Sequence, residues 1–288
     1  MVRKTWIRCN ACGADAFREL SQVDEWHIGQ CSQCSLIYVN PMPFFEPTPG
    51  FSEMSLDFQY TQYMYQLTPA IRAYEQQQLC RQFEKMADFR SNHRTGRLLE
   101  IGCGSGASVR AAVDLGWDAV GLDIDPQLIR LGKNEWDVDL RCMPFLENDF
   151  EAASFDFIKL RDVVEHLPNP YDILVEIKRL LSPEGILLIV TPNEDGLPSQ
   201  LRLRLGAKRN KVATVPPPHH LHGFTPRTLR LILGRAGFDI AQIETTTPVD
   251  PRYVTSNNMR SADNRLYTFV WRSAVRWGKG SVLVGWAG

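Results

Sequence analysis

The stretch Leu98-Leu99-Glu100-Ile101-Gly102-Cys103-Gly104-Ser105-Gly106 constrains this chain more than any other. An apolar run that gives way to glycines at alternate positions, and then to a helical pattern, describes a strand, a tight loop and a helix start. Such a loop lets backbone approach a ligand closely and turns unpaired N–H groups toward it. A second short apolar run, Val120-Gly121-Leu122, ends in Asp123-Ile124-Asp125. Strand, loop, helix and strand in this order place a nucleotide-type pocket at the carboxyl end of a parallel sheet. An ionised carboxylate accepts two hydrogen bonds without donating, so Asp123 at the end of the second strand suits a vicinal diol.

The glycine spacing separates two kinds of nucleotide pocket. A dinucleotide fingerprint places its third glycine three residues after the second, whereas Gly102, Gly104 and Gly106 alternate and the acidic Glu100 precedes them. This pattern resembles motif I, E/D-x-G-x-G-x-G, of the class I S-adenosylmethionine-dependent methyltransferases. The resemblance implies that the glycine loop contacts the methionine part of the cofactor and that Asp123 bonds the ribose hydroxyls, with Glu100 also in the cofactor-binding set. Ile124 and Leu160 complete the expected cofactor set. After the third strand such enzymes often set an acidic or polar side chain against the adenine amino group. Leu140-Arg141-Cys142-Met143 offers none, which leaves that contact to backbone, with Met143 or Phe145 against the ring.

Cys9, Cys12, Cys31 and Cys34 have the spacing C-x2-C-x18-C-x2-C. Two knuckles that each present two thiolates on a tight turn match the ligand set of structural zinc, and the polar segment between them is too short for a packed core, so metal would supply its folding energy. A redox dithiol pair is the competing reading. A catalytic zinc would keep an open position and usually includes histidine or water. The passage is similar to the zinc ribbon that precedes many methyltransferases of sugar, polysaccharide and natural-product pathways. Pro41, Pro43, Pro47 and Pro49 then mark a linker. The expected layout is a zinc ribbon over 1–48, a helical linker or cofactor lid over 49–94, and a Rossmann-like methyltransferase domain over 95–288 with an acceptor-side insertion at 194–224.

Within 49–94, Ile71, Tyr74, Leu79, Phe83 and Met86 fall near a helical period and Pro69 suits the first turn. Tyr60, Tyr63 and Tyr65 are candidates for closing over the cofactor. Residues 97–191 repeat strand and helix, as a doubly wound α/β sheet requires. Val109, Ala112, Val113 and Gly116 predict one inward helical face, and Asp125-Pro126 a capped helix start. Phe155 to Leu160 is a strand. Asn169-Pro170 opens a helix that Ser182-Pro183-Glu184-Gly185 stops, and Ile186 to Val190 is a strand covered on both faces.

Asp162-Val163-Val164-Glu165-His166-Leu167-Pro168 resembles the E-H-L signature that follows motif II in a large subgroup of these enzymes, with Thr191-Pro192-Asn193 as the companion T-P-N. Methyl transfer asks the protein for alignment and, with a hydroxyl acceptor, for a base. A neutral imidazole suits that task, so His166 is the first candidate; its alternative role is to fix the loop through a backbone hydrogen bond. His220 and His222, in Pro218-His219-His220-Leu221-His222-Gly223-Phe224, are the other two, His220 standing at the family's usual histidine. No carboxylate or cysteine lies near them in sequence, which speaks against a metal there. Thr225 then reads as an N-cap and Pro226 as the first helical residue, with Leu229, Ile232, Leu233 and Ala236 inward and Gly237 as terminator.

The 288 residues carry a net charge of -1, without the basic excess of a nucleic-acid binder. Met1-Val2-Arg3-Lys4-Thr5-Trp6 leads into cysteines rather than an apolar run, so a cytoplasmic protein is expected. A basic cluster at Arg202, Arg204, Lys208, Arg209 and Lys211, and an aromatic tail with Leu266, Phe269, Val270 and Trp277, would suit an anionic acceptor or a weak membrane-surface contact. Ser281 to Trp286 reads as a closing strand. The expected function is methyl transfer from S-adenosylmethionine to a small-molecule or glycan-type acceptor, at oxygen, with structural zinc in the ribbon. An RNA base methyltransferase with a zinc module and a non-catalytic cofactor-binding protein are the competing readings. Oligomeric state is not set by the sequence.

Overall fold

The structure is a computed structural model that describes residues 3–44, 68–89, 95–197, 200, 215, 217, 219–246 and 273–288. Tyr60, Tyr63 and Tyr65, the basic cluster at 202–211 and the residues of the aromatic tail before 273 lie outside the described residues. The chain divides into two compact units. One comprises Met1–Phe44, Val164–Tyr171 and Ile189–Trp286, the other Phe45–Val163, Asp172–Leu188 and Ala287–Gly288.

The first elements are β1 (Arg3–Thr5), β2 (Phe17–Val23), β3 (Trp26–Cys31), β4 (Ile37–Val39) and β5 (Met42–Phe44). There follow α1 (Pro69–Met86), β6 (Arg97–Ile101), α2 (Ala107–Asp114), β7 (Asp118–Asp123), α3 (Pro126–Glu135), β8 (Asp139–Cys142), β9 (Phe155–Arg161), α4 (Pro170–Leu180) and β10 (Leu181–Pro192). The last are β11 (His222–Gly223), α5 (Pro226–Arg235), β12 (Ile240–Thr246) and β13 (Val282–Ala287).

A seven-stranded mixed sheet has the order β12-β13-β10-β9-β6-β7-β8. β6 pairs in parallel with β7 on one side and β9 on the other, Leu99 standing opposite both Val120 and Ile158. Leu98, Leu99 and Ile101 are buried, as expected of a strand covered on both faces. Side-chain chemistry sets the helix starts. Asp125 accepts from the N–H groups of Gln127 and Leu128 at the head of α3, and Thr68 accepts from Ile71 at the head of α1, each with proline in the first turn.

The α1 helix buries Ile71, Leu79 and Met86 and packs on α2. Ile71, Ala107 and Trp136 form one apolar cluster, Phe83 stacks on Trp117 with centroids 4.7 Å apart, and Arg72 pairs with Asp114 at 2.7 Å. Two expectations change. Gly116 is not on the inward face of α2, because the helix ends at Asp114 with Leu115 as its C-cap. The Ser182-Pro183-Glu184-Gly185 segment does not separate α4 from its strand. The N–H groups of Ala153 and Ser154 bond the carbonyls of Arg179 and Leu180, and β10 begins directly at Leu181.

In the unit that begins at Met1, β1 pairs antiparallel with β5. A four-stranded sheet has the order β11-β4-β3-β2, with His222 opposite Tyr38 and Gly223 opposite Ile37. The cysteine-bearing segment therefore takes its edge strand from residues far along the chain. The α5 helix opens with a capping box of Thr225 and Thr228 and buries Leu229, Ile232 and Leu233, as its pattern predicts. Among the described residues no helix is long and apolar enough to cross a membrane.

Candidate active site

The glycine loop joins β6 to α2. Gly102, Gly104 and Gly106 have φ of 71°, 57° and 78°, in the left-handed region that side chains disfavour. A Cβ on Gly102 would stand 2.3 Å from Val163 Cγ2, and one on Gly106 2.6 Å from Leu140 Cδ2. Glycine is thus required at both for conformation and for space. Most of the loop's N–H groups are used within the protein, contrary to the expectation of a row of free donors. Gly102 and Cys103 donate to the Leu122 carbonyl at 2.8 and 3.0 Å, and Gly106 donates to Cys103.

Gly104 N–H donates to Asp123 Oδ2 at 2.8 Å, and Asp125 N–H to Asp123 Oδ1 at 2.9 Å. Each carboxylate oxygen accepts more than one bond, so Asp123 can shape the loop and still receive two donors from a diol. Burial raises its pKa, against the two N–H bonds that lower it. Met143 N–H bonds the Asp123 carbonyl, and Phe145 is buried. Ile124 is 57% exposed, whereas Leu160 has no exposed surface and pairs opposite Ile101. Leu160 is therefore a core residue, a correction to its place in the cofactor set.

Beneath the loop lies a group of charges of which sequence reasoning caught only Glu100. Lys159 on β9 is fully buried, and its Nζ is 3.2 Å from Glu100 Oε1, 2.7 Å from Ser108 Oγ and 3.9 Å from Glu75 Oε2. Arg161 binds Glu75 in bidentate fashion at 3.0 and 2.6 Å. The signal was a lysine in the middle of an otherwise covered strand, Phe-Ile-Lys-Leu. Buried charges persist when paired, and here two carboxylates meet two cations. Glu100 Oε2 is buried without a hydrogen-bond partner.

The turn after β9, with Asp162 at φ 54°, leads to Glu165 and His166. Glu165 is buried, and its Oε2 accepts from Thr191 Oγ1 at 2.9 Å, which joins the E-H-L and T-P-N segments. Its carbonyl accepts from the N–H groups of Leu221 and His222. The His166 side chain is 41% exposed, with Nδ1 2.6 Å from the His219 carbonyl and Nε2 3.8 Å from Glu165 Oε1. A carbonyl only accepts, so Nδ1 carries the proton and Nε2 presents its lone pair. Burial holds the His166 pKa below its ordinary 6.5, against the pull of the His219 carbonyl.

His220 packs edge-on to His166, with centroids 4.7 Å apart. Ligand atoms of Glu165, His166 and His220 all lie within 4.8 Å of one another, so the fold brings the histidines the carboxylate that the local sequence lacks. His222 is different. It is 1% exposed, stacks on Tyr38 at 6.3 Å, has Nε2 3.1 Å from Asn10 Nδ2, and is pushed down to about 3 by burial. The expected acceptor role of His222 gives way to a neutral imidazole that ties β11 to the first cysteine knuckle.

That knuckle and its partner bring Cys9, Cys12, Cys31 and Cys34 together, all four sulfurs within 4.8 Å. Cys9 and Cys34 are 3.4 Å apart, and Cys12 and Cys31 3.6 Å. A tetrahedron with metal–sulfur bonds of about 2.3 Å has edges of about 3.8 Å, so the cluster fits a four-thiolate zinc. Burial pushes the Cys34 thiol up to about 11 and raises Cys9 further.

Residues 71–243, more than half of the chain, match the sequence profile of the family described as methyltransferase domain. The ubiquinone biosynthesis O-methyltransferase of Rhodopseudomonas palustris strain HaA2 is 28% identical over 137 residues, 46% of this chain and 54% of that protein. The chain thus spans about half the length of that curated relative. An S-adenosylmethionine-dependent methyltransferase from Archaeoglobus fulgidus is similar in structure, with TM-score 0.51 and 18% identity, over 75% of this chain and 93% of that one. The plantazolicin methyltransferase BpumL in complex with SAH has TM-score 0.53 and 17% identity, over 82% and 91%. At these identities the two structures are alike in fold.

Replacement of Gly102 tests the loop geometry. Gly102→Ala is expected to lower stability in urea denaturation by about 1–2 kcal/mol from the left-handed backbone alone, with a further loss from the Val163 clash that Val163→Ala recovers in the double variant. An alanine variant as stable as the wild type would contradict the loop described here.

Proposed function

This chain belongs to the methyltransferase-domain family, and from that premise we propose that it moves a methyl group from S-adenosylmethionine to a hydroxyl of a small-molecule or glycan-type acceptor. The relative named for ubiquinone biosynthesis is an O-methyltransferase, which supports oxygen as the target atom. S-adenosylmethionine supplies a methyl group on a cationic sulfur, transferred by in-line displacement. The protein's part is to hold, align and take up a proton.

Asp123 would hold the ribose hydroxyls, and Gly102, Gly104 and Gly106 would form the floor under the amino-acid end. His166 is the proposed base, and the contact that carries this role is its Nδ1 against the His219 carbonyl. That contact leaves Nε2 to take the acceptor proton, with the Glu165 carboxylate 3.8 Å away to stabilise the imidazolium. His220 packs on the His166 ring and limits its orientations. The four cysteines would hold structural zinc, consistent with the sulfur spacing.

Purified protein supplied with methyl-labelled S-adenosylmethionine and a panel of phenols, nucleotide sugars and glycans tests the reading. His166→Ala is expected to lose turnover by about 10²–10⁴-fold while keeping cofactor affinity; retained turnover would remove His166 as base. The base form must be neutral, and burial lowers its pKa. The acid limb of the rate profile is therefore expected below pH 6.5, with activity rising as pH rises through it. Elemental analysis is expected to find one zinc per chain, lost in Cys9→Ser. A ratio well below one in freshly reduced protein would contradict the ribbon.

A further inference from the structure

We propose that Lys159 is a positioning residue for the cofactor, tying Glu100 at the end of β6 to Ser108 at the start of α2 and so holding the glycine loop between them. This rests on the reading of the loop as the seat of the amino-acid end of S-adenosylmethionine. The loop runs from Ile101 to Ala107, and the two anchors of the Lys159 ammonium, Glu100 Oε1 at 3.2 Å and Ser108 Oγ at 2.7 Å, stand on either side of it. Val163, four residues beyond Lys159, has its Cγ2 2.3 Å from where a Gly102 Cβ would stand. Strand β9 and the turn after it thus support the loop by an ion pair at one point and by packing at the other.

A lysine with no exposed surface needs a reason to be there. Leucine or isoleucine would bury well in the same strand. The ammonium adds a directional link between two backbone segments that make no ladder with each other, and a counter-charge for Glu100. The arrangement also recruits α1. Glu75 is 3.9 Å from Lys159 Nζ and forms the bidentate pair with Arg161, so two cations face two carboxylates. Removal of Lys159 leaves Glu100 buried without its counter-charge and frees the start of α2. Truncating one partner of a buried charge pair is expensive because the other partner stays behind.

Because Asp123 grips the loop from the β7 side through Gly104, the ribose end has its own support. The proposal therefore separates two ligands. S-adenosylhomocysteine carries the amino-acid end, and 5′-methylthioadenosine lacks it. In calorimetric titrations Lys159→Met is expected to weaken S-adenosylhomocysteine by about tenfold or more and 5′-methylthioadenosine by less than about twofold, with Lys159→Arg restoring part of the loss. Equal weakening of both ligands would show a general structural role and overturn the proposal, as would no weakening of either.

If Lys159→Met does not fold, the double variant Lys159→Met/Glu100→Gln, which leaves no lone carboxylate at that pair, is compared with Glu100→Gln. A further loss of S-adenosylhomocysteine affinity is expected in the double variant, because the Ser108 anchor goes with Lys159; equal affinities overturn the proposal. Hydrogen exchange in the ligand-free protein decides the clamp independently. Amides of residues 101–107 are expected to exchange faster in a folded Lys159 variant than in the wild type or, for the double variant, than in Glu100→Gln; unchanged rates would overturn the clamp. A wild type that binds neither ligand would count against the cofactor reading, and the exchange result would still judge Lys159.

Discussion

Asp123 accepts hydrogen bonds from the backbone N–H groups of Gly104 and Asp125, and the shape of the ligand loop depends on that carboxylate. One bond fixes the middle of a loop whose three glycines all stand in the left-handed region. The other fixes the turn in which Asp125 caps α3. A single side chain at the end of β7 thus sets both segments against the same strand end. Its remaining acceptor capacity suits a vicinal diol, which supports the proposal that the group shaping the loop also holds a ribose. Burial raises the Asp123 pKa against the N–H bonds that favour the carboxylate.

Charge is used a second time beneath the loop. Lys159, Glu100, Arg161 and Glu75 bring two strands and α1 together in a region where an apolar core would have sufficed for stability. In the other unit, Glu165 has a comparable place. It joins Thr191 to the 221–222 segment through its side chain and its carbonyl, and sets its second oxygen near His166. The His219 carbonyl then decides which imidazole nitrogen carries the proton. Orientation in both places comes from backbone groups and buried partners rather than from exposed side chains.

Local chemistry made most of the fold legible in the sequence. Glycines at alternate positions after an apolar strand, Asp125-Pro126, Pro69 and Thr225-Pro226 each specify a turn or a helix start within a few residues, and the structure forms all of them. The ends of elements were harder. Gly116 matched the helical period and lies beyond the end of α2, because periodicity does not record where backbone hydrogen bonds cease. In the candidate site, local geometry was legible where a motif carries it, as in the left-handed glycines of the loop and the proximity of the paired cysteines. It was not where partners come from distant segments. Glu165 lies more than fifty residues from His220 yet within reach of it, and Asn10 meets His222 across most of the chain. No local pattern distinguishes His222, a buried imidazole, from His220 two residues earlier. Lys159 carried a signal, a cation in a covered strand, that only the position of Glu100 explains.

The central claim is that the loop and Asp123 form the seat of an adenosyl cofactor, and calorimetric titration with S-adenosylhomocysteine tests it most directly. The account predicts one site per chain in the wild type and loss of binding in Asp123→Ala, with the variant still folded by circular dichroism. Unchanged affinity in a folded Asp123→Ala protein, or no binding by a reduced, zinc-replete wild type even with candidate acceptors present, would contradict it.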